Sequence, residues 1–89
     1  MCRNIKPLFN FEPLATELEI HEASLQFVRK VSGFRKPSKA NEAAFEAAVD
    51  AIAAASSQLL SSLETNAPRR DRNVEAARAH ARAVRRFAA

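Results

Sequence analysis

Apolar residues recur at helical intervals in three stretches of this chain and at no regular interval in its first fifteen residues. From Ile20, the positions Ala23, Phe27 and Val31 fall three or four apart, with Leu25 and Val28 widening the stripe. From Phe45, the series Val49, Ile52, Ser56, Leu59 and Leu63 alternates fours and threes over about five turns. A narrower seam of small residues runs through Val74, Ala77, Ala81, Val84 and Ala88, with Phe87 as its one bulky member. These patterns predict helix one over about 16–32, helix two over about 39–64 and helix three over about 70–87. Before them stands an arm of residues 1–15 that carries Pro7 and Pro13, both of which oppose a helix.

The ends of the elements carry their own signals. Thr16 followed by Glu19 is a reciprocal capping box, and Gly33 stands just past helix one, where a left-handed residue ends a helix. Either Ser38 or Asn41 is placed to cap helix two. Pro68 interrupts the pattern, so helix three starts between it and Asn73. Phe9 and Phe11 in the arm are too apolar to leave in water, so the arm is expected to pack against the helices. The fold class expected is all-α: one domain over residues 1–89, a three-helix up-down-up bundle with an extended, proline-containing arm packed across it.

Composition narrows the location. The longest apolar run, Ala51 to Ala55, is far short of the roughly 20 residues that cross a bilayer, so no membrane contact is expected. The single cysteine cannot form an internal disulfide, and no basic segment followed by an apolar stretch opens the chain. The cytoplasm is the compartment this implies.

Charge alternates in sign. Residues 1–40 hold seven Lys/Arg against four Asp/Glu, residues 41–64 none against four, and residues 65–89 seven against two. In an up-down-up bundle one end collects Arg29, Lys30, Arg35, Lys36, Lys39, Arg85 and Arg86, with Glu42, Glu46 and Asp50 striped along the adjacent half of helix two. One reading is ion pairing of those acids with Arg82, Arg85 and Arg86, at roughly 0–1 kcal/mol per exposed pair. The other is that the seven cations bind an anionic partner such as nucleic acid. A second cluster, Arg69, Arg70 and Arg72, falls at the opposite end.

Chemistry is sparse. Cys2 becomes an N-terminal thiol beside a free amine if Met1 is removed, with Arg3 to favour the thiolate, which makes it the candidate nucleophile. With His21 and His80 it also makes three candidate metal ligands, but no two share a ligand spacing. One glycine cannot build a phosphate-cradling loop, and no cofactor is implied.

The opening Met1-Cys2-Arg3-Asn4-Ile5, then Asn10-Phe11-Glu12-Pro13, Leu25-Gln26-Phe27-Val28-Arg29-Lys30, Ser32-Gly33-Phe34 and Lys36-Pro37-Ser38-Lys39-Ala40-Asn41 resemble a family of short bacterial proteins described as a domain of unknown function. Leu14 departs from it, since the family tends to a second proline there. The resemblance implies a small stand-alone bacterial domain and transfers no catalytic residue. It directs attention to the arm, where Asn10 and Glu12 are suited to satisfying turn or helix-end backbone groups. The function expected is a non-enzymatic binding module, either self-associating as a homo-oligomer through its alanine-rich faces or engaging an anionic partner through its basic end. The alternative is thiol or metal chemistry at Cys2.

Overall fold

A computed structural model describes residues 5–88, the side chains of 87 and 88 excepted. The chain is mostly helical. Strand β1 (Phe11–Glu12) precedes α1 (Glu17–Ser32), a 3-10 turn (Lys39–Asn41) leads into α2 (Glu42–Ser62), and strand β2 (Arg70–Asp71) leads into α3 (Arg72–Ala88). The two strands pair in parallel, Phe11 opposite Arg70 and Glu12 opposite Asp71, so the segment before α1 is stitched to the segment before α3. No helix among the described residues is long and apolar enough to cross a membrane.

Helix α1 starts and stops where its sequence dictates. The Thr16 hydroxyl accepts the Glu19 amide at 3.2 Å, and the Glu19 carboxylate accepts the Thr16 amide at 3.0 Å. At the other end Gly33 takes φ +77° and donates its amide to the Arg29 carbonyl at 2.9 Å. Helix α2 begins differently from either expectation. Neither Ser38 nor Asn41 places a side chain on a free helix amide, because the Asn41 amide group donates instead to the Ser38 hydroxyl at 2.9 Å. The chain enters α2 through the 3-10 turn, closed by the Asn41 amide on the Ser38 carbonyl. With no glycine at its end, α2 closes on serines: Ser61 and Ser62 both donate back to the Gln58 carbonyl, at 3.0 and 2.7 Å.

Helices α1 and α2 pack against each other along their length and hold the core. Ile20, Val28 and Val49 are its buried apolar residues. Between them Ser24, also buried, satisfies its hydroxyl on the Ile20 carbonyl one turn back, at 2.8 Å. Its small side chain lets the two helices approach closely.

Among the described residues α3 lies lengthwise against neither α1 nor α2, and its regular contacts are with β2. The expected closure of three helices into one bundle is therefore not the arrangement seen. The seam of α3 explains this physically: Val74, Ala77, Ala81 and Val84 offer little apolar area to hold a helix down. Val74 and Val84 remain half exposed. The radius of gyration is 15.9 Å, against about 12 Å for a compact domain of this length.

Candidate functional site

The most elaborate side-chain construction joins the segment before α1 to the root of α3. Asn10 stands at φ +65°, a left-handed conformation that Asn tolerates better than most residues, and there its side-chain amide reaches the Pro68 carbonyl at 3.0 Å and the Ala67 carbonyl at 3.4 Å. Its own carbonyl accepts the Arg70 amide at 2.8 Å. Glu12 pairs with Arg69. The guanidinium groups of Arg70 and Arg72 lie 5.7 and 5.6 Å from the centre of the Phe11 ring, within reach of its electron-rich face.

Arg72 is the centre of this clasp. Its Nε donates to the Pro13 carbonyl at 2.8 Å and its Nη1 to Glu19 at 2.7 Å, while Nη2 is buried without a partner. The hydrogen bond from Arg72, with the Thr16 amide, holds the Glu19 carboxyl below the usual glutamate range. Asp71 then accepts the Val74 amide at 3.0 Å and caps the start of α3.

In the sequence Arg69, Arg70 and Arg72 read as a second basic cluster. They are instead the partners of Glu12, Phe11 and Glu19. The available signal was an arm spelled in polar residues, Asn10 and Glu12, suited to satisfying turn or helix-end backbone groups, as Asn10 does at Ala67 and Pro68.

The basic turn is a separate place. Arg29 Nε donates to the Arg35 carbonyl at 3.1 Å, which folds the chain after Gly33 back along α1. Arg29, Lys30 and Arg35 line one shallow opening there with Gln26 and Gly33. Lys30, Arg35, Lys36 and Lys39 are exposed. Arg85 and Arg86 sit in the last turns of α3 and are exposed too. None of these seven cations takes part in an ion pair among the described residues; the pairs that form are Arg69–Glu12, Arg72–Glu19 and Arg78–Glu75. The expected pairing of Arg82, Arg85 and Arg86 with Glu42, Glu46 and Asp50 does not occur, since α3 is not laid beside α2.

His21 on α1 and His80 on α3 are both exposed. Cys2 lies outside the described residues. Among those described, no three His, Cys, Asp or Glu side chains gather into a metal-sized group.

The clasp and the hairpin it braces fall inside one recognisable stretch of sequence. Residues 1–78 match a family described as an uncharacterized conserved protein, DUF2277. The chain belongs to the DUF2277 family. No curated protein and no solved structure matches it at a significant level. The DUF2277 match contains the arm, α1, the basic turn, α2 and every arginine of the clasp; it ends at Arg78, so Arg82, Arg85 and Arg86 lie beyond it.

Proposed function

We propose that this DUF2277 protein is a non-enzymatic binding module that takes an anionic partner, nucleic acid foremost, on the basic turn between α1 and α2. The observation that carries this reading is the concentration of Arg29, Lys30, Arg35, Lys36 and Lys39 around one turn, none of them neutralised by a carboxylate within ion-pair distance among the described residues. Each is free to contact a phosphate, and a backbone tied by Arg29 to the Arg35 carbonyl presents them from a fixed base. The recognition is chiefly of phosphates, because five cations stand against one aromatic side chain among them, the half-exposed Phe34.

The test is a salt titration of binding to duplex DNA and to RNA. Affinity falls with salt along a logarithmic slope of about 0.9 per phosphate contacted in duplex DNA, and Arg35→Glu with Lys36→Glu lowers both affinity and slope. Absence of binding to either nucleic acid at low salt overturns the reading.

A further inference from the structure

The chain leaves too much of itself in water. Its accessible surface is 7344 Å², whereas a compact monomer of 9.8 kDa exposes about 5,200 Å²; the excess of roughly 2,000 Å² exceeds the ~800 Å² that each partner buries in a standard interface. Two surfaces stand open: the seam of α3, half exposed at Val74 and Val84, and a groove along the α1–α2 hairpin.

The groove runs the length of the hairpin. One part is floored by small residues of α2, Ala53, Ala54 and Ser57, with Glu17 and Asp50 on its walls. It continues past His21 and Asp50, which line both parts, to Glu46. The first part carries only acidic charge on a floor of small residues, and the second sets Glu46 and Asp50 beside Arg29, Arg35 and Lys36. Helix α3 has the reverse character, a seam of Ala77, Ala81 and Val84 flanked by Arg78, Arg82 and Arg85. A small-residue seam on a small-residue floor allows close helix approach, and the part of the groove walled by Glu17 and Asp50 is opposite in charge to the flanks of α3.

The chain's own α3 is poorly placed to fill this groove. Its root is tied by Arg72 to Glu19. Glu17 and His21, which line the groove, each stand two residues from Glu19, about 160° around the helix from it. The clasp reaches the near end of the groove, where Asn10 and Arg69 line one depression with Glu17, Ile20, Ser57 and Ser61, while α3 beyond its root has its regular contacts with β2 and leaves the groove open.

We propose that the groove receives α3 of a second copy, and that two chains exchange this helix reciprocally about a two-fold axis. Laid antiparallel to α2 with its root near Ser61, the incoming α3 brings Arg82 level with Asp50 and Arg86 level with Glu46, since both helices rise equally per residue. Its C-terminal carbonyls then approach the end of the groove lined by Arg35 and Lys36, the sign that a helix C-terminus favours. The inference goes beyond the anionic-partner reading, with which it shares Arg29, Arg35 and Lys36 at the far end of the groove.

Light scattering on the full chain is expected to give about twice the mass of 9.8 kDa, reverting to monomer on dilution and at high salt. Asp50→Arg and Arg82→Glu each weaken association by about tenfold or more, and mixing the two variants restores it. Asp50 and Arg82 are both exposed, and circular dichroism checks that helicity is kept. A second measurement does not depend on charge. In a Cys2→Ser background, a chain carrying Ala54→Cys is mixed with one carrying Ala77→Cys, the seam residue that this register sets beside it. A disulfide joining the two chains supports the exchange. A monomeric mass at every concentration overturns it, as does an internal disulfide formed within single chains carrying both cysteines, which assigns the groove to the chain's own α3. A monomer that still binds DNA overturns the exchange alone; a dimer that binds no nucleic acid at low salt overturns the anionic-partner reading alone.

Discussion

Arg72 donates to Glu19 at 2.7 Å across 53 residues of chain, and the carboxylate that receives it is the one that closes the capping box of α1. One side chain thus serves the start of α1 and the root of α3 together. Loss of either partner is felt at both places.

Arg72→Ala removes the hydrogen bonds to Glu19 and to the Pro13 carbonyl. Bonds to charged groups are worth about 1.5–3 kcal/mol, but both side chains are close to a third exposed, so solvent screening brings the expected loss to about 1–2 kcal/mol. Urea unfolding measures it. Arg72→Lys should recover less than half, because an ammonium cannot serve the Pro13 carbonyl and Glu19 with one planar fork. Full recovery by lysine would count against the fork as the source of the stability.

The same pair sets a pH dependence. Glu19 is held below its ordinary value first by the Arg72 hydrogen bond and next by the Thr16 amide. A carboxyl with a lowered folded pKa contributes its stability above the unfolded value, about 4.3, and loses it as the pH falls through the folded value. Wild type should therefore lose more stability than Glu19→Gln between neutral pH and the acid range. Parallel stability curves for the two proteins across that range would refute this role.

What could be read in the sequence was local. Thr16, Glu19 and Gly33 mark α1 because a cap and a left-handed stop depend on residues a few positions apart, and the structure realises both. The seam of Val49 and its neighbours likewise announces that α2 needs a partner. Periodicity does not say which surface a seam meets, and this is why α3 was expected beside α2 when its thin stripe leaves it unpacked there. The clasp was the least legible part. Its bonds join residues 53 to 60 apart, such as Arg72 with Glu19 and Arg70 with Asn10, and no spacing rule connects them. Only the surplus of polar residues in the arm hinted that partners existed.

Asn10 separates two contributions to the clasp. Asn10→Gly keeps the backbone comfortable at φ +65° but loses the bond to the Pro68 carbonyl, for a cost of about 1 kcal/mol. Asn10→Ala loses the bond and adds the left-handed penalty, about 1–2 kcal/mol more. Denaturant midpoints should rank wild type above glycine and glycine above alanine. Alanine equal to glycine would mean that the left-handed backbone carries no cost here.

The thin core makes α2 sensitive at one point. Val49 is 3% exposed against α1, so Val49→Ala leaves a void and should cost about 1–3 kcal/mol. Val31 is 71% exposed near the end of α1, and Val31→Ala should change stability by less than about 0.5 kcal/mol. Thermal unfolding of the two variants compares them directly, and equal shifts would place the packing elsewhere.

Gly33 provides the cleanest test of a backbone requirement, because a methyl group added there meets nothing within 4 Å. Any cost of Gly33→Ala then comes from φ +77° alone, opposed by the lower entropy of the unfolded alanine chain. The left-handed penalty of about 1–2 kcal/mol outweighs the unfolded-state gain of about 0.4–1, leaving a net loss of about 1 kcal/mol. Gly33→Asn should lose less, since Asn adopts this conformation more readily. Chemical denaturation of the three proteins gives the order, and alanine as stable as glycine would mean that the turn after α1 relaxes into another stop.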